Sequence, residues 1–380
     1  MQLETPLDGE LRTLEAHTRA FVQKELIPRE QSMEEAGSAD PEALRRLKEM
    51  GYYGVRIPKE YGGLGLGVSE YVVILKEISK GHHYLLDELL TSNGIGSRSL
   101  IISGTEQQRE NYLPKLASGE LICAFALTEP GAGSDAGSIQ TNAVPGGDGW
   151  VINGTKHFIG HGDYSDILTV MAVTDRSKGT RGGITAFIVE KGTPGFKPAR
   201  VQQNMGGVHV AELVVDDCWV PASSVIGKVG EGFKLAMETL DEGRMHVASM
   251  SIGMAERALQ IAIDYAKVRV QFGQPIANFQ GVQWLIADSL TELYAATVMT
   301  LQVAAEIDSG AKVPQKSAMT KYFASEMVGR VADRALQVLG GTGYMKEMPV
   351  ERIYRFARLQ RIVDGTSEIM KMLIARGALR

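Results

Sequence analysis

The stretch LICAFALTEPGAGSD, residues 121–135, decides the fold. Residues 122–127 are a short continuous apolar run of β type, and Pro130-Gly131-Ala132-Gly133 turns the chain at its end. Upstream, the spacing is helical. Leu11, Leu14, Phe21, Val22 and Leu26 recur on one face until Pro28 stops them. Asp40, Pro41 and Glu42 read as an N-cap, a first helical position and a first-turn acid, with Leu44, Leu47 and Met50 following and Gly51 closing the helix. Residues 58–67, PKEYGGLGLG, lack the strand and the Lys-Ser/Thr or helix fingerprint of a phosphate cradle and read as a structural loop. Helix resumes over 71–78 and 85–102, and Thr105 with Gln108 forms a capping box for a helix to about residue 116.

Downstream of residue 135, β-type runs at 151–152, 167–173, 184–189 and 212–215 are separated by Gly, Asp, Asn and Pro turns, and the last gives out near 221–230. Long helices then return. One covers 240–268, with Met245, Ala248, Ile252, Ala255, Leu259 and Ala262 on one face. A second covers 279–307, ended by Asp308, Ser309 and Gly310, and a third covers 314–339, ended by Gly340 and Gly341. The expected class is α+β: an N-terminal helical domain (1–120), a middle β-barrel or sandwich (121–230) and a C-terminal four-helix bundle (231–380). Helices this long, apolar on more than one face, predict packing against further subunits.

The 44% hydrophobic and 22% charged residues place the chain among ordinary globular proteins. A net charge of −5 gives no general attraction to nucleic acid or anionic membranes, so an anionic ligand has to be held by local cations and helix N-termini. Cys123 and Cys218 form neither a disulfide framework nor a metal spacing; they read as small buried residues in a reducing compartment. No run reaches the roughly 18 apolar residues of a membrane span. The acidic start and the C-terminal Ala378-Leu379-Arg380 carry no recognisable address, and the expected location is the cytoplasm.

One carboxylate stands out. In RIVDGTSEIM, residues 361–370, Asp364 precedes a Gly-Thr turn that opens the last apolar helix, with Ile369, Leu373 and Ile374. A helix N-terminus favours an ionised carboxylate, so Asp364 has the setting of a base. The same residue also reads as an N-cap that accepts backbone N–H bonds from Ser367 or its neighbour. Residues 127–135 offer a turn rich in backbone N–H groups and hydroxyls, suited to a polar ring or an anion. Asn153-Gly154 reads as a hairpin.

Six motifs in order, TEPGAGSD (128–135), NGTKHFI (153–159), ELVVDDCWVP (212–221), RVQFG (269–273), QVLGG (337–341) and DGTSE (364–368), resemble the acyl-CoA dehydrogenase family over nearly the whole chain. The resemblance implies FAD-dependent α,β-desaturation of an acyl-CoA thioester. A carboxylate takes the α-proton, the β-hydrogen passes as hydride to flavin N5, and hydrogen bonds to the thioester carbonyl stabilise the enolate-like charge. It implies flavin contacts at Leu127, Thr128, Gly133, Ser134, Phe158, Ile159 and Gly160, with Thr366 and Glu368 near the ribityl or phosphate region. Arg269, Gln271 and Phe272, with Gln337, Gly340 and Gly341, resemble the segment that reaches a neighbouring subunit's FAD, which implies a homo-oligomer, a tetramer. For the substrate it implies Ser134, Asp241, Arg244, Thr91, Val363 and Gly365, and for the electrons an electron-transferring flavoprotein. Without the flanking motifs, Arg244 reads as a solvated helix cation.

Three positions depart from the family pattern. Asp364 stands where glutamate is usual, which removes about 1.5 Å of reach, and a 1 Å misplacement can cost about a hundredfold in rate. Val363 replaces an aromatic residue, and Gly160 replaces a hydroxyl residue near flavin N5, leaving backbone or His161 to serve there. Gly243, where some members carry the base, has no side chain, and Glu242 is rotated about 100° away on the helix. Asp87 and Glu88 are the other carboxylates of interest. The room made by Asp364 and Val363 suggests a cyclic (cyclohexane- or cyclohexene-carboxyl) or short branched acyl-CoA. Competing readings are a flavin oxidase of the nitroalkane-oxidase type, a non-catalytic flavoprotein in which Asp364 is only a cap, and the same site run as an enoyl-CoA reductase.

Overall fold

The computed structural model describes residues 7–379, without the side chains of Asp87, Glu88, Thr91, Ser92 and Asn93. The helices in chain order are α1 (Gly9–Phe21), α2 (Glu30–Ala36), α3 (Pro41–Glu49), α4 (Val68–Ile78), α5 (Tyr84–Asn93), α6 (Ile95–Ser103) and α7 (Glu106–Ser118). After the strands come α8 (Gly232–Val268), α9 (Gln280–Asp308), α10 (Pro314–Leu339), α11 (Pro349–Ala357) and α12 (Ser367–Ala378). The chain forms two compact units. One takes residues up to Asp40, Gly67–His83 and everything from Gly243; the other takes Pro41–Leu66 and Tyr84–Glu242.

The second unit is built on one sheet. Its strands are β1 (Cys123–Ala126), β2 (Asn142–Gly146), β3 (Gly149–Gly160), β4 (Ile167–Val173), β5 (Ile184–Glu190), β6 (Phe196–Gln203), β7 (His209–Pro221) and β8 (Val225–Ile226). Their order is β6-β7-β3-β2-β4-β5-β8, with β1 parallel to β4. Strands β1, β4 and β5 are buried on both faces, which is why they read as continuous apolar runs. Alternate side chains serve two cores. Cys123, Phe125, Met171, Ala186 and Ile188 pack with Leu113 and Leu116 of α7 and with Leu235 of α8. Ala124, Ala126, Val170, Ala172 and Phe187 pack with Ile152, Leu213 and Val215 in the other core.

The expected capping box is present. Thr105 Oγ1 accepts from Gln108 N at 3.2 Å, and Gln108 Oε1 accepts from Thr105 N at 2.9 Å. Two local readings change. The helix expected over 85–102 is interrupted at Gly94, between α5 and α6. Asn153-Gly154 is no hairpin turn; it lies inside β3, where the register with β7 shifts. Gly154 has φ 156, and a Cβ there would lie 2.3 Å from Thr141 Oγ1, so only glycine fits this bulge.

The first unit is helical. Val68 and Val72 of α4, Met245 of α8 and Val303 and Ala304 of α9 share a core. Asp308 closes α9 and caps α4, its carboxylate accepting from Val68 N at 2.6 Å and Ser69 N at 2.8 Å. Helices α4 and α8 touch backbone to backbone at Gly253, where a Cβ would lie 2.0 Å from Lys76 O. α10 packs against α9, α11 and α12, so it is the element best placed to set the geometry of the segment before α12. Among the described residues no helix is long and apolar enough to cross a membrane.

Candidate active site

In the sheet unit, two motifs far apart in sequence meet. The turn after β1 is tied to β3 by His157 N donating to Thr128 O at 2.8 Å. Below it lies a buried ion pair. Lys156 Nζ, fully shielded, donates to Glu129 Oε1 at 2.8 Å and to Leu127 O at 3.1 Å. Glu129 also accepts from Thr141 N at 2.9 Å and from Gln140 N. Burial is the largest influence on both partners. It pushes the Lys156 ammonium down to about 8, while Lys156 and the backbone donors outweigh it for Glu129, whose carboxyl falls below its ordinary value. Sequence reasoning missed this pair, although a lysine between β-type residues was a visible sign of a buried cation.

A second register shift in β3, between Lys156 and Ile159, presents the flavin candidates. Phe158 takes φ 56 and is 60% exposed, whereas Ile159 is buried. His161, also left-handed at φ 60, is buried with Nδ1 2.7 Å from Tyr164 Oη. Gly133 and Ser134 are exposed, and a Cβ built at Gly131 or Gly133 would meet nothing within 4 Å. Open backbone, a presented aromatic ring and a half-exposed Thr128 suit a large planar polar ligand. Asp241, half-buried, belongs to this unit too, and Glu242 is buried between Arg56 Nε and Arg98 Nε, both at 2.9 Å.

In the helical unit, Asp364 stands in left-handed backbone, φ 52, followed by Gly365 at φ 95. It is not the cap of α12. Thr366 fills that role, its Oγ1 accepting from Ile369 N at 3.3 Å. The capping demand that competed for Asp364 is therefore met by another residue. Lys321 of α10, fully buried, donates from Nζ to Gly365 O at 2.7 Å. Arg244 of α8 is also buried and is no solvated cation. Burial raises the Asp364 pKa, and the charges of Lys321 and Arg244 pull against it. Lys321 is itself pushed down to about 8 by burial, against the attraction of Asp364. Glu326 of α10 holds the far side of the turn, accepting from Ser367 Oγ at 2.6 Å and Arg361 Nε at 2.8 Å.

Val363 is half-buried and Glu368 exposed. Arg269, Gln271 and Phe272 form an exposed hairpin of strands β9 (Val270–Gln271) and β10 (Gln274–Pro275), with Phe272 93% exposed at φ 53. Gln337, Gly340 and Gly341 are exposed at the end of α10. The side chains of Thr91, Asp87 and Glu88 lie outside the described residues. Lys321 and Glu326 escaped the sequence reading. The available signal was Lys321 on a stripe with Ser317, Ala318, Ala324 and Val328, a charge at an apolar helix position.

Family models match three consecutive segments: the acyl-CoA dehydrogenase N-terminal domain over residues 8–120, the middle domain over 124–218 and the C-terminal domain over 230–379. The chain belongs to the acyl-CoA dehydrogenase family. It is 42% identical to the acryloyl-CoA reductase (NADH) of Anaerotignum propionicum, over 100% of this chain and 97% of that protein. It is 41% identical to the caffeyl-CoA reductase–Etf complex subunit CarC of Acetobacterium woodii, over 94% and 95%. Butyryl-CoA dehydrogenase from Megasphaera elsdenii has the same fold, with TM-score 0.94, 36% identity and full coverage of both chains. As an acyl-CoA dehydrogenase family member, the protein is a FAD-dependent oxidoreductase acting on CH–CH groups. The open turn and the presented Phe158 fit that cofactor.

Proposed function

We propose that this protein interconverts an acyl-CoA thioester and its α,β-unsaturated counterpart, with Asp364 as the group that takes the α-proton in the oxidative direction. The observation that carries this reading is Asp364 itself, a carboxyl in left-handed backbone beside two buried cations while Thr366 caps α12. Such backbone costs about 1–3 kcal/mol and persists where function demands it. When bound, FAD supplies the acceptor for the β-hydride. Leu127, Thr128, Gly133 and Ser134, with Phe158, Ile159 and Gly160, would hold its ring, and Thr366 and Glu368 its ribityl or phosphate part. Arg244, Ser134, Asp241, Thr91, Val363 and Gly365 would meet the substrate. Asp364 accepts the proton on its carboxylate, and the Lys321 and Arg244 charges favour that ionised state before the proton arrives.

The substrate proposed is a short branched or cyclic acyl-CoA, because the short Asp364 and the absence of a ring at Val363 enlarge the space beside the α-carbon. A homotetramer is proposed from the exposed Phe272 hairpin and the exposed end of α10, which are suited to reach a neighbouring subunit's FAD. The electron partner proposed is an electron-transferring flavoprotein, supported by the Etf complex named for the Acetobacterium woodii relative. Cytoplasmic location is part of the same proposal. The names of the two reductase relatives favour a second direction, enoyl-CoA reduction, in which the same Asp364 donates the proton.

The test is anaerobic flavin bleaching by straight, branched and cyclic acyl-CoAs, with crotonyl-, acryloyl- and cyclohexene-carboxyl-CoA reoxidising the reduced enzyme in the reverse assay. Asp364→Asn should bind FAD normally and bleach about 10²–10⁴-fold more slowly. Unchanged bleaching in Asp364→Asn removes the assignment of the base, and fastest bleaching by straight chains of eight carbons or more removes the assignment of the substrate.

A further inference from the structure

Asp364 and Gly365 are consecutive left-handed residues, a conformation that one L-residue tolerates poorly without help from outside the turn. That help comes from one helix. Lys321 Nζ of α10 donates to Gly365 O at 2.7 Å. Five residues further along α10, about 7.5 Å at the helical rise, Glu326 accepts from both Ser367 Oγ and Arg361 Nε. The turn is thus gripped behind Asp364 at Gly365 and Ser367, and ahead of it at Arg361. The two grips differ in setting. Glu326 is half-buried with two donors, whereas Lys321 is fully buried and, among the described residues, donates to a single carbonyl. An ammonium left with one neutral acceptor in a protein interior is costly unless a negative charge shares the site. The negative charge beside it is Asp364.

We propose that Lys321 is a positioning residue for the reaction: through Gly365 it holds the Asp364 turn in its left-handed form, and its charge keeps the carboxylate ionised for proton abstraction. This rests on Asp364 being the base. The charged groups that bear on the pair come from three helices. Lys321 on α10 and Arg244 on α8 face Asp364, while Arg244, Glu326 on α10 and Glu368 on α12 bear on Lys321. Burial raises the carboxyl and lowers the ammonium, so each group needs the other to stay charged near neutral pH. A glutamine at 321 could keep an N–H for Gly365 O but would lose the charge. An arginine would keep the charge to far higher pH.

The experiment uses the FAD-loaded enzyme in wild-type, Lys321→Gln, Lys321→Arg and Asp364→Asn forms. Two quantities are followed against pH: the rate of anaerobic bleaching by the panel thioester that wild type handles fastest, and, without substrate, the infrared carbonyl band of the protonated Asp364 carboxyl, assigned by its loss in Asp364→Asn. In Lys321→Gln both should titrate at least about one pH unit higher than in wild type, with about tenfold slower bleaching on the acid side and no alkaline fall near pH 8, the rate there staying at the level that wild type reaches once its amine is neutral. In Lys321→Arg the acid side should stay in place, while the alkaline fall near pH 8 moves beyond the measured range. An unmoved carboxyl titration in Lys321→Gln, with only a lower melting temperature, overturns the proposal. If Lys321→Gln does not fold, an alkaline fall that stays near pH 8 in Lys321→Arg overturns it. Loss of bleaching in Asp364→Asn together with unmoved Lys321 variants leaves the base standing and removes Lys321; unchanged bleaching in Asp364→Asn removes the base itself.

Discussion

Lys156→Met puts the buried pair beneath the flavin turn to a quantitative test. The substitution keeps an unbranched chain one atom shorter but removes an ammonium that bonds Glu129 Oε1 and Leu127 O. Breaking a buried pair by deleting one partner costs about 3–5 kcal/mol, because a charge is left behind. Here Glu129 retains the N–H groups of Gln140 and Thr141, which places the expected loss near the lower end, about 3 kcal/mol. Leu127 O also loses a donor, and the turn above it loosens. If about 1.4 kcal/mol of the loss falls on cofactor binding, FAD affinity drops about tenfold. Urea unfolding of the holoenzyme and FAD titration of the apoprotein measure the two parts. The double variant Glu129→Gln, Lys156→Met leaves no orphan charge and should recover about 1–2 kcal/mol relative to Lys156→Met. A Lys156→Met enzyme within about 0.5 kcal/mol of wild type, or a double variant that loses the sum of both single changes, would refute the reasoning.

The other predictions concern helix contacts and the Asp364 turn. Gly253→Ala gains about 1 kcal/mol of helix propensity, but its methyl would lie 2.0 Å from Lys76 O. Overpacking outweighs the gain, so net destabilisation of about 1–2 kcal/mol is expected in denaturant unfolding. Asp308→Ala removes two N–H acceptors at the start of α4 and should cost about 1–2 kcal/mol. Lys321 carries a pKa lowered to about 8 from an ordinary 10.5, so the unfolded chain binds the extra proton between those values, and stability from this group rises with pH across that window. Activity should do the opposite and fall above pH 8, because a neutral amine holds the Gly365 carbonyl, and with it the Asp364 turn, less firmly than an ammonium does; parallel melting and rate profiles check both signs. Val363→Phe should shift preference toward straight-chain thioesters by about 10-fold or more in relative kcat/KM, since one changed apolar contact is worth about 1–3 kcal/mol.

The class of the fold was legible because two periods write it plainly. Strands β1, β4 and β5, covered on both faces, appear as apolar runs, and the capping box at Thr105 and Gln108 stands as spelled. Local chemistry misled where tertiary contacts decide. Asn153-Gly154 has the composition of a hairpin, but the approach of Thr141 makes it a bulge. In the RIVDGTSEIM segment Asp364 read as either base or cap, and the structure gives the cap to Thr366, whose hydroxyl stands next to α12 and accepts from Ile369 N. Lys321 and Glu326 were hidden for a different reason. Their partners lie about forty residues on, and nothing in a helix of small and apolar residues announces which distant carbonyl its lysine will meet.

The left-handed backbone at Asp364 also bears on how this protein can lose its chemistry over generations. At φ 52 the residues that sit with least strain are glycine, asparagine and aspartate, and of these only aspartate holds a carboxyl. Asp364→Asn and Asp364→Gly are therefore both changes the backbone of the turn would accept, with the cap at Thr366 untouched, but each leaves the buried Lys321 without its carboxylate. Descendants that had ceased to turn over would keep the form of the turn but carry an orphaned buried ammonium, so selection for folding would favour a matching loss of charge at position 321.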